Sequence, residues 1–209
     1  ARMGTALANP DLQPETANHL ELGVSGSPWQ GGQGQAALFY SRVRNQIQTV
    51  VVASAECGGT TCNQAQNVGR TRNIGMELSL AQQLSAQWGV NAGYTYLNRR
   101  NTSDSSITLT HTPRHRLLAG VQWRPLAQWE FNAEVETEKG RYVPLSGSGQ
   151  LQTLKLPGYG IANLRARYKP RSDITVDFGV ANIGDKWYQF DDGLPMPGRS
   201  WYVNLGYHF

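Results

Sequence analysis

The chain has 209 residues and a net charge of +4, and its Lys and Arg residues form no run or stripe, which excludes a nucleic-acid-binding surface. Charged residues make up only 16% of the chain, where about 25% is usual, and aromatic residues make up 10%. No run of about 20 apolar residues exists, which excludes a transmembrane helix, and the start lacks the pattern of a signal peptide. We therefore interpret Ala1 as a mature end or a cut within a longer protein.

Apolar and polar residues alternate through almost the whole chain, which predicts β-strands. In chain order, nine strands are predicted at about 17–25, 35–49, 74–81, 88–96, 116–124, 129–136, 162–168, 174–181 and 200–209. In the second of them, the apolar positions are assigned to Ala37, Phe39, Ser41 and Val43. No segment combines helix caps with a 3.6-residue period.

Short and long connections alternate between these strands. Short ones lie at 84–86, 125–127 and 169–172, and long ones at about 50–68, 98–112, 140–157 and 185–198. This pattern is typical of a bacterial outer-membrane β-barrel with periplasmic turns and extracellular loops. Trp88, Trp123 and Trp129 flank the short turns, where an aromatic girdle would lie. A soluble β-sandwich or lipocalin-like barrel is the alternative.

In the final stretch, RSWYVNLGYHF, two sets of side chains alternate up to the last residue, and one set consists of large apolar and aromatic residues. We interpret it as the closing strand of a barrel, and Trp201, Tyr207 and Phe209 resemble the signal read by the outer-membrane insertion machinery. Bacterial barrels have an even number of strands, and an open sheet in lipid would leave unpaired edges. Nine strands therefore predict the C-terminal part of a larger barrel.

Cys57 and Cys62 lie in the stretch AECGGTTC, within the first long connection. A zinc site would need two further ligands, which no nearby His or Cys supplies. The pair favours a disulfide over free thiols or a metal site, and so points to an oxidising compartment.

Two stretches resemble the TonB-dependent outer-membrane receptors. NPDLQPETA, residues 9–17, is similar to their Asn-Pro-(Asp/Asn)-Leu-x-Pro-Glu element, although Gln13 stands where a basic residue is common. ANIGDKWYQFDDGLPMPGRSWYVNLGYHF, residues 181–209, is similar to their closing segment, with Asn182, Asp185-Lys186, Pro197-Gly198-Arg199 and a last Phe.

The resemblance implies an all-β fold, an antiparallel transmembrane β-barrel of 22 strands, of which this chain would supply about the last nine. Residues 1–16 would form an extracellular loop leading into the first strand, and residues 17–209 the barrel wall. The N-terminal plug and the TonB box would be absent from the chain. The implied partners are outer-membrane lipid, the plug, the remaining strands, TonB through the missing N-terminal region, and the barrel assembly machinery.

The same resemblance implies energy-coupled uptake of a scarce nutrient, with no directly bound cofactor. A ferric siderophore is the expected ligand, and haem, cobalamin, copper or another small cofactor are the alternatives, since they use the same barrel. Ligand-binding candidates in the loops and upper lumen are His111, Arg141, Tyr142, Tyr188, Asp191 and Met196, with His115 and Asp192 beside them. Plug-facing candidates on the polar strand positions are Arg116, Glu130, Glu134, Arg165 and Arg167. Ion pairing of these charges across neighbouring strands is the alternative to plug contact. Glu15 is expected to pair with an Arg of the barrel wall.

Two other functions stay open. A barrel enzyme would need a Ser/His/Asp-type site, for which Asp104, His111 and His115 are close in sequence, but no Gly-x-Ser-x-Gly elbow is present. We therefore predict no enzymatic activity. A passive porin would explain the polar lumen but neither of the two family-like stretches.

Overall fold

The computed structural model describes residues 6–57, 61–145 and 152–209, and this part of the chain is almost entirely β-structure. One short 3-10 helix, Ala55–Cys57, interrupts the strands. The strands are β1 (Ala6–Leu7), β2 (Thr16–Gly26), β3 (Gly32–Arg44), β4 (Ile47–Ala53), β5 (Thr61–Asn67), β6 (Thr71–Gln83), β7 (Trp88–Asn101), β8 (His115–Leu126), β9 (Trp129–Lys139), β10 (Tyr142–Pro144), β11 (Thr153–Lys155), β12 (Tyr159–Arg171), β13 (Ile174–Ala181), β14 (Gln189–Asp191), β15 (Leu194–Pro195) and β16 (Ser200–Tyr207).

Nine long strands form one antiparallel sheet in the order β16-β13-β12-β9-β8-β7-β6-β3-β2. Long strands that follow each other in the chain therefore pair with each other, as in an up-and-down barrel wall. The nine predicted strands are confirmed, with boundaries that mostly extend a few residues further towards the long connections. Within the described residues, β2 and β16 each have one free edge.

One face of this sheet is mainly apolar across all nine long strands. Residues opposite each other on neighbouring strands share a face, so the register identifies its members. One row across the sheet is Leu22, Leu38, Met76 and Tyr96, and another is Val121, Ala133, Leu164, Val180 and Trp201. Many of these side chains have no covering layer, and Leu22 is 75% exposed. This face has the composition of a surface that contacts lipid.

The opposite face is polar and carries most of the charged residues of the strands. Its glycines make room for aromatic rings at two positions, because a side chain there would overlap the neighbour. The Phe39 ring covers Gly75, and the Tyr202 ring covers Gly179.

The predicted apolar parity of β3 is wrong. Ala36, Leu38 and Tyr40 face the apolar side, because they pair with Leu78, Met76 and Ile74. Ala37, Phe39, Ser41 and Val43 lie on the polar face, and all but Phe39 are buried there. This strand has apolar residues on both faces, so its alternation did not indicate which side meets lipid.

The long connections contain strands of their own, which the sequence did not predict. The strand expected at 35–49 ends at Arg44, and the chain turns at Asn45, whose φ is 54°, before β4 begins. Strands β4 and β5 form a hairpin that β1 joins in parallel, while β10-β11 and β14-β15 form two further pairs. The hairpin has a small core in which Val50, Val68 and Leu109 pack together.

Aromatic rings form a continuous band at the short-turn end of the apolar face. Trp88 stacks on Trp123 with ring centroids 5.4 Å apart, and Trp123 lies 5.3 Å from Phe131. Trp129 stacks on Phe131 at 5.6 Å and on Tyr168 at 4.5 Å. The band crosses four strands at the position expected for an interfacial girdle.

In the parts of the chain that the structure describes, no helix is long and apolar enough to cross a membrane. Residues 1–5 of the predicted N-terminal loop, Gly58 and Gly59 between the cysteines, and residues 146–151 of the loop predicted at 140–157 lie outside the described residues.

Candidate functional site

Aromatic rings and one arginine form a cluster at the long-connection end of the sheet. We call Arg141, Tyr159, Tyr188 and Phe190 the loop-end cluster. Tyr159 stacks on Tyr188 with centroids 4.4 Å apart, and Phe190 lies 5.6 Å edge-on from Tyr188. The Arg141 guanidinium lies 5.0 Å from the centre of the Phe190 ring. Cationic and aromatic groups of this kind suit an anionic or aromatic ligand.

Two carboxylates of β9 hold the cluster in place. Arg141 Nη2 donates to Glu138 Oε2 at 2.6 Å, and Arg141 Nη1 donates to the carbonyl of His111 at 2.7 Å. The Tyr159 hydroxyl donates to Glu136 Oε1 at 2.9 Å. The Glu138 side chain is only 6% exposed, so its charge needs compensation, which comes chiefly from Arg141 and in part from Arg116 Nε at 3.7 Å.

The acidic surroundings also affect the Tyr188 phenol. Burial, followed by the nearby carboxylates of Glu136 and Glu138, raises the pKa of Tyr188 above its ordinary value. The phenol therefore stays neutral and able to donate a hydrogen bond at physiological pH.

The structure brings the ligand-binding candidates into one neighbourhood. The His111 amide donates to the Tyr142 carbonyl at 2.8 Å, and the Met196 amide donates to the Tyr188 carbonyl at 2.9 Å. Asp191 follows Phe190 in β14, beside the turn to β15. His111 and Met196 thus take part in this neighbourhood through backbone hydrogen bonds, whereas Arg141 and Tyr188 take part through their side chains. Whether any of them binds a ligand stays a prediction.

A polar cavity of 360 Å³ lies beside this neighbourhood. Its lining includes Tyr142, Arg99 and Arg114. Arg99 Nη1 donates to Thr112 Oγ1 at 2.9 Å, which directs its guanidinium towards the loop that precedes β8. The cavity adds positive charge at the same end of the sheet as Arg141.

Sequence reasoning missed Glu138, Tyr159 and Phe190. Glu138 continues the acidic parity of Glu134 and Glu136, but the predicted strand stopped at 136. Tyr159 begins β12 earlier than the predicted start at 162. The only feature of the sequence that could have indicated Phe190 is the number of aromatic residues in its loop.

The plug-facing candidates all lie on the polar face, and four of the five are ion-paired within the sheet. Arg116 pairs with Glu136 at 3.3 Å, and Arg165 pairs with Glu130 at the same distance. Arg167 binds Asp177 through two nitrogens, the shorter contact being 2.7 Å. The cross-strand alternative therefore describes these charges. In the described residues Glu134 has no ion pair, and contact with a plug stays a prediction for all five candidates.

The remaining site residues lie where the strands and loops place them. Cys57 and Cys62 are joined in a disulfide that closes the end of the β4-β5 hairpin. Trp201 and Tyr207 lie on the apolar face of β16, and the Phe209 ring packs edge-on against Tyr207 at 5.3 Å.

The side chains considered for an enzymatic site do not form one. His115 lies on the apolar face, where its Nδ1 is 2.8 Å from the Tyr94 hydroxyl, and not at the top of the lumen as predicted. Asp104 accepts a hydrogen bond from the Ser106 hydroxyl at 2.6 Å. Among the described residues, no hydrogen bond joins Asp104 to either His111 or His115.

The NPDLQPETA stretch docks on the β4-β5 hairpin. The Gln13 amide donates to Asn67 Oδ1 at 2.8 Å, and Asn67 Nδ2 donates back to the Gln13 carbonyl at 3.0 Å. Glu15 accepts from Gln46 Nε2 at 2.8 Å and from the Ile47 amide at 3.0 Å. The start of β4 thus supplies the hydrogen-bond donors to Glu15, and among the described residues no Arg lies within ion-pair distance of it. The expected interaction with an Arg of the wall is present only as a longer-range attraction between Glu15 and Arg99 of β7.

Two side chains of the closing segment, Asn182 and Asp185, hold the two ends of the loop at 182–199 by hydrogen bonds to its backbone. Asn182 donates from Nδ2 to the Lys186 carbonyl at 2.8 Å and accepts the Lys186 amide at 2.8 Å. Asp185 Oδ1 accepts the Arg199 amide at 2.7 Å. We call Asn182 and Asp185 the loop latch. Both adopt positive φ near 50°, which Asn and Asp tolerate better than most residues.

Known proteins share this architecture. The family model described as TonB dependent receptor-like, beta-barrel, matches residues 2–183. An iron-regulated outer membrane virulence protein of Vibrio cholerae is 22% identical over 99% of this chain, and the catecholate siderophore receptor Fiu of Escherichia coli is 25% identical over 99% of it. The chain spans 33% and 27% of the lengths of these two relatives.

A solved structure, that of the copper transporter OprC, superposes with a TM-score of 0.78 and 20% identity, over 96% of this chain and 32% of that one. This similarity concerns the fold, which agrees with the nine-stranded sheet and its two faces. Together with the family match over most of the sequence, it shows that the chain belongs to the TonB-dependent receptor β-barrel family of the bacterial outer membrane.

Proposed function

We propose that this chain builds part of the wall and outer mouth of a receptor that imports a ferric siderophore across the outer membrane. The observation that carries this proposal is the loop-end cluster, in which a guanidinium and three aromatic rings meet at the mouth of the polar face. Ferric siderophores are bulky chelates, often anionic or aromatic, and such ligands are matched by arginine and stacked rings. The siderophore named in the description of the Escherichia coli relative supports this choice.

The proposed topology follows from the two ends of the sheet. The short turns face the periplasm and the long connections face outward, as is the rule for bacterial barrels. Residues 1–16 then form an extracellular loop leading into β2, and residues 17–209 the wall. The apolar face contacts lipid, and the polar face lines the lumen.

The proposed partners follow from the same arrangement. The plug occupies the lumen beside Glu134, further strands complete the barrel, and TonB supplies energy through a region outside this chain. The barrel assembly machinery recognises Trp201, Tyr207 and Phe209 in the final strand. The chain holds no cofactor of its own, because the iron travels within its chelate, and it has no enzymatic role.

The test is ferric siderophore binding and uptake. Cells that produce the protein are starved of iron and supplied with radiolabelled iron bound to catecholate or hydroxamate siderophores, and binding to purified protein is followed by tryptophan fluorescence. We expect Tyr188→Ala to weaken binding about tenfold, because a stacked aromatic contact contributes more than about 1 kcal/mol. Trp187→Ala is the matched control, since Trp187 lies next to Tyr188 but is 62% exposed and outside the cluster.

Each alternative has a distinct result. Uptake that persists after the proton-motive force is dissipated would identify a passive porin. Binding of copper ions with no binding of any iron chelate would replace the siderophore by a metal cargo. Equal binding by Tyr188→Ala and the wild type would remove the loop-end cluster from the ligand site.

A further inference from the structure

Three arginines form a row on the outer side of the sheet. Arg42 of β3 faces Arg72 of β6, and Arg72 faces Arg100 of β7. All three side chains are on the apolar face of the sheet. Each lies two residues along its strand from a residue of that face, namely Tyr40, Ile74 and Asn98. Like charges directly opposite each other destabilise a sheet, so the row needs an anion to offset this cost.

The described part of the chain places no carboxylate against this row. Among the described residues, neither Arg72 nor Arg100 has an ion pair or a side-chain hydrogen bond. Arg42 is directed onto the neighbouring Tyr40 ring, with its guanidinium 5.5 Å from the centroid. Arg42 and Arg100 are exposed. Arg42 Nε donates to the Tyr40 hydroxyl. The Nη groups of Arg42 and the whole guanidinium of Arg100 are therefore available to a group outside the protein.

The row lies at one boundary of the apolar band. Along β6, the outward positions after Arg72 are Ile74, Met76, Leu78 and Leu80, and the next is Gln82. The ten residue steps from Arg72 to Gln82 span roughly 34 Å along the strand, or about 26 Å of membrane thickness at a tilt of about 40°. This agrees with an apolar band of about 25 Å in such barrels. The arginines thus lie at the level of lipid headgroups.

We propose that the row Arg42, Arg72 and Arg100 binds the phosphate groups of an outer-leaflet lipid. The planar guanidinium matches phosphate oxygens through paired hydrogen bonds, and its stem can cover apolar surface while the charge reaches the headgroup. A phosphate would neutralise the repulsion between facing arginines. The choice of the outer leaflet rests on the orientation given under the proposed function.

The experiment measures lipid retention by the purified protein in a neutral detergent micelle. Native mass spectrometry follows the titration of bisphosphorylated lipid A, with dephosphorylated lipid A, phosphatidylcholine and inorganic phosphate as separate arms. The variant Arg72→Gln/Arg100→Gln is compared with Arg171→Gln, whose side chain lies at the opposite rim, pairs with Asp173 and is 72% exposed. Heat-modifiable migration verifies that each variant is folded, and Arg100→Gln alone replaces the double variant if that fails to fold.

We expect the wild type and Arg171→Gln to retain bisphosphorylated lipid A, and the row variant to bind it at least tenfold more weakly, since each basic residue near a charged lipid surface contributes to binding. Equal retention by the row variant would overturn the inference. So would equal binding of the dephosphorylated lipid, or saturation of the row by inorganic phosphate alone.

Siderophore binding measured on the same samples separates this inference from the proposed function. Loss of lipid binding with retained siderophore binding supports the row independently of the cargo. If siderophore binds but the row variant retains lipid as well as the wild type does, the proposed lipid site is refuted and the proposed function is not. If the protein binds the lipid through the row but binds no siderophore, the proposed siderophore cargo is refuted and the lipid site is not.

Discussion

Replacing Arg141 by Gln tests whether the loop-end cluster depends on a buried ion pair. The change removes the 2.6 Å contact with Glu138 and the donation to the His111 carbonyl, and it leaves a carboxylate that is 6% exposed. Removing one partner of a buried pair costs about 3–5 kcal/mol. Arg116 Nε, 3.7 Å from the other Glu138 oxygen, retains part of the compensation. We therefore expect a loss of about 2 kcal/mol in the free energy of unfolding.

The assay is chemical unfolding in detergent, followed by tryptophan fluorescence, with the variants arranged as a double-mutant cycle. Adding Glu138→Gln to Arg141→Gln removes the unpaired charge, so the double variant should recover about 1 kcal/mol relative to Arg141→Gln alone. Arg171→Gln, which breaks an exposed pair with Asp173, should cost less than about 0.5 kcal/mol.

A loss below about 0.5 kcal/mol for Arg141→Gln, or no recovery in the double variant, would refute the assignment of Glu138 as a buried charge that needs this partner. Siderophore affinity measured well below both unfolding transitions then reports the ligand role of Arg141 separately from its structural one.

Three further changes have defined outcomes. Gly179→Ala should destabilise the sheet by about 1–3 kcal/mol, because its Cβ would overlap the Tyr202 ring, whereas Gly206→Ala, whose Cβ would meet nothing closer than 3.8 Å, should leave the melting temperature unchanged. Asn182→Ala removes the hydrogen bonds that fasten its loop and should make that loop sensitive to limited proteolysis, while a cleavage rate equal to that of the wild type would contradict the latch. The raised pKa of Tyr188 means that the folded protein keeps a proton that the unfolded chain releases above about pH 10, so this contribution to stability is complete below that pH and is lost as pH rises further. Comparing phenolate absorbance during titration of the wild type and Tyr188→Phe measures this shift, and a Tyr188 that titrates at the ordinary value would refute it.

The order of the nine strands could be predicted from the sequence because side-chain alternation and the rhythm of short and long connections are local signals. The face of β3 could not, because Leu38 and Phe39 both look apolar and only the pairing with Met76 and Gly75 distinguishes lipid from lumen. The β4-β5 hairpin was missed for a related reason. It follows β3 after only Asn45 and Gln46, so the sequence reads as one long strand.

The candidate site was predictable as a region but not as a set of contacts. An arginine and aromatic residues in polar loops indicate ligand binding, yet their partners come from distant parts of the chain. Arg141 meets the Phe190 ring through the packing of two separate loops, and Glu15 accepts hydrogen bonds from the start of β4 where an ion pair was expected. Pairings of this kind depend on how loops pack, which strand periodicity does not contain.

The loop latch separates the anchoring of the loop to the barrel from the residues that the loop presents at its tip. Asn182 and Asp185 close the base of their loop against its own backbone, while Tyr188 and Phe190 lie near its tip. The tip can then be shortened, lengthened or replaced without disturbing β13 or β16. In evolutionary terms the loop is an exchangeable cassette. Under the proposed ligand role of the loop-end cluster, substitutions in it would change the cargo preference and leave assembly of the barrel untouched.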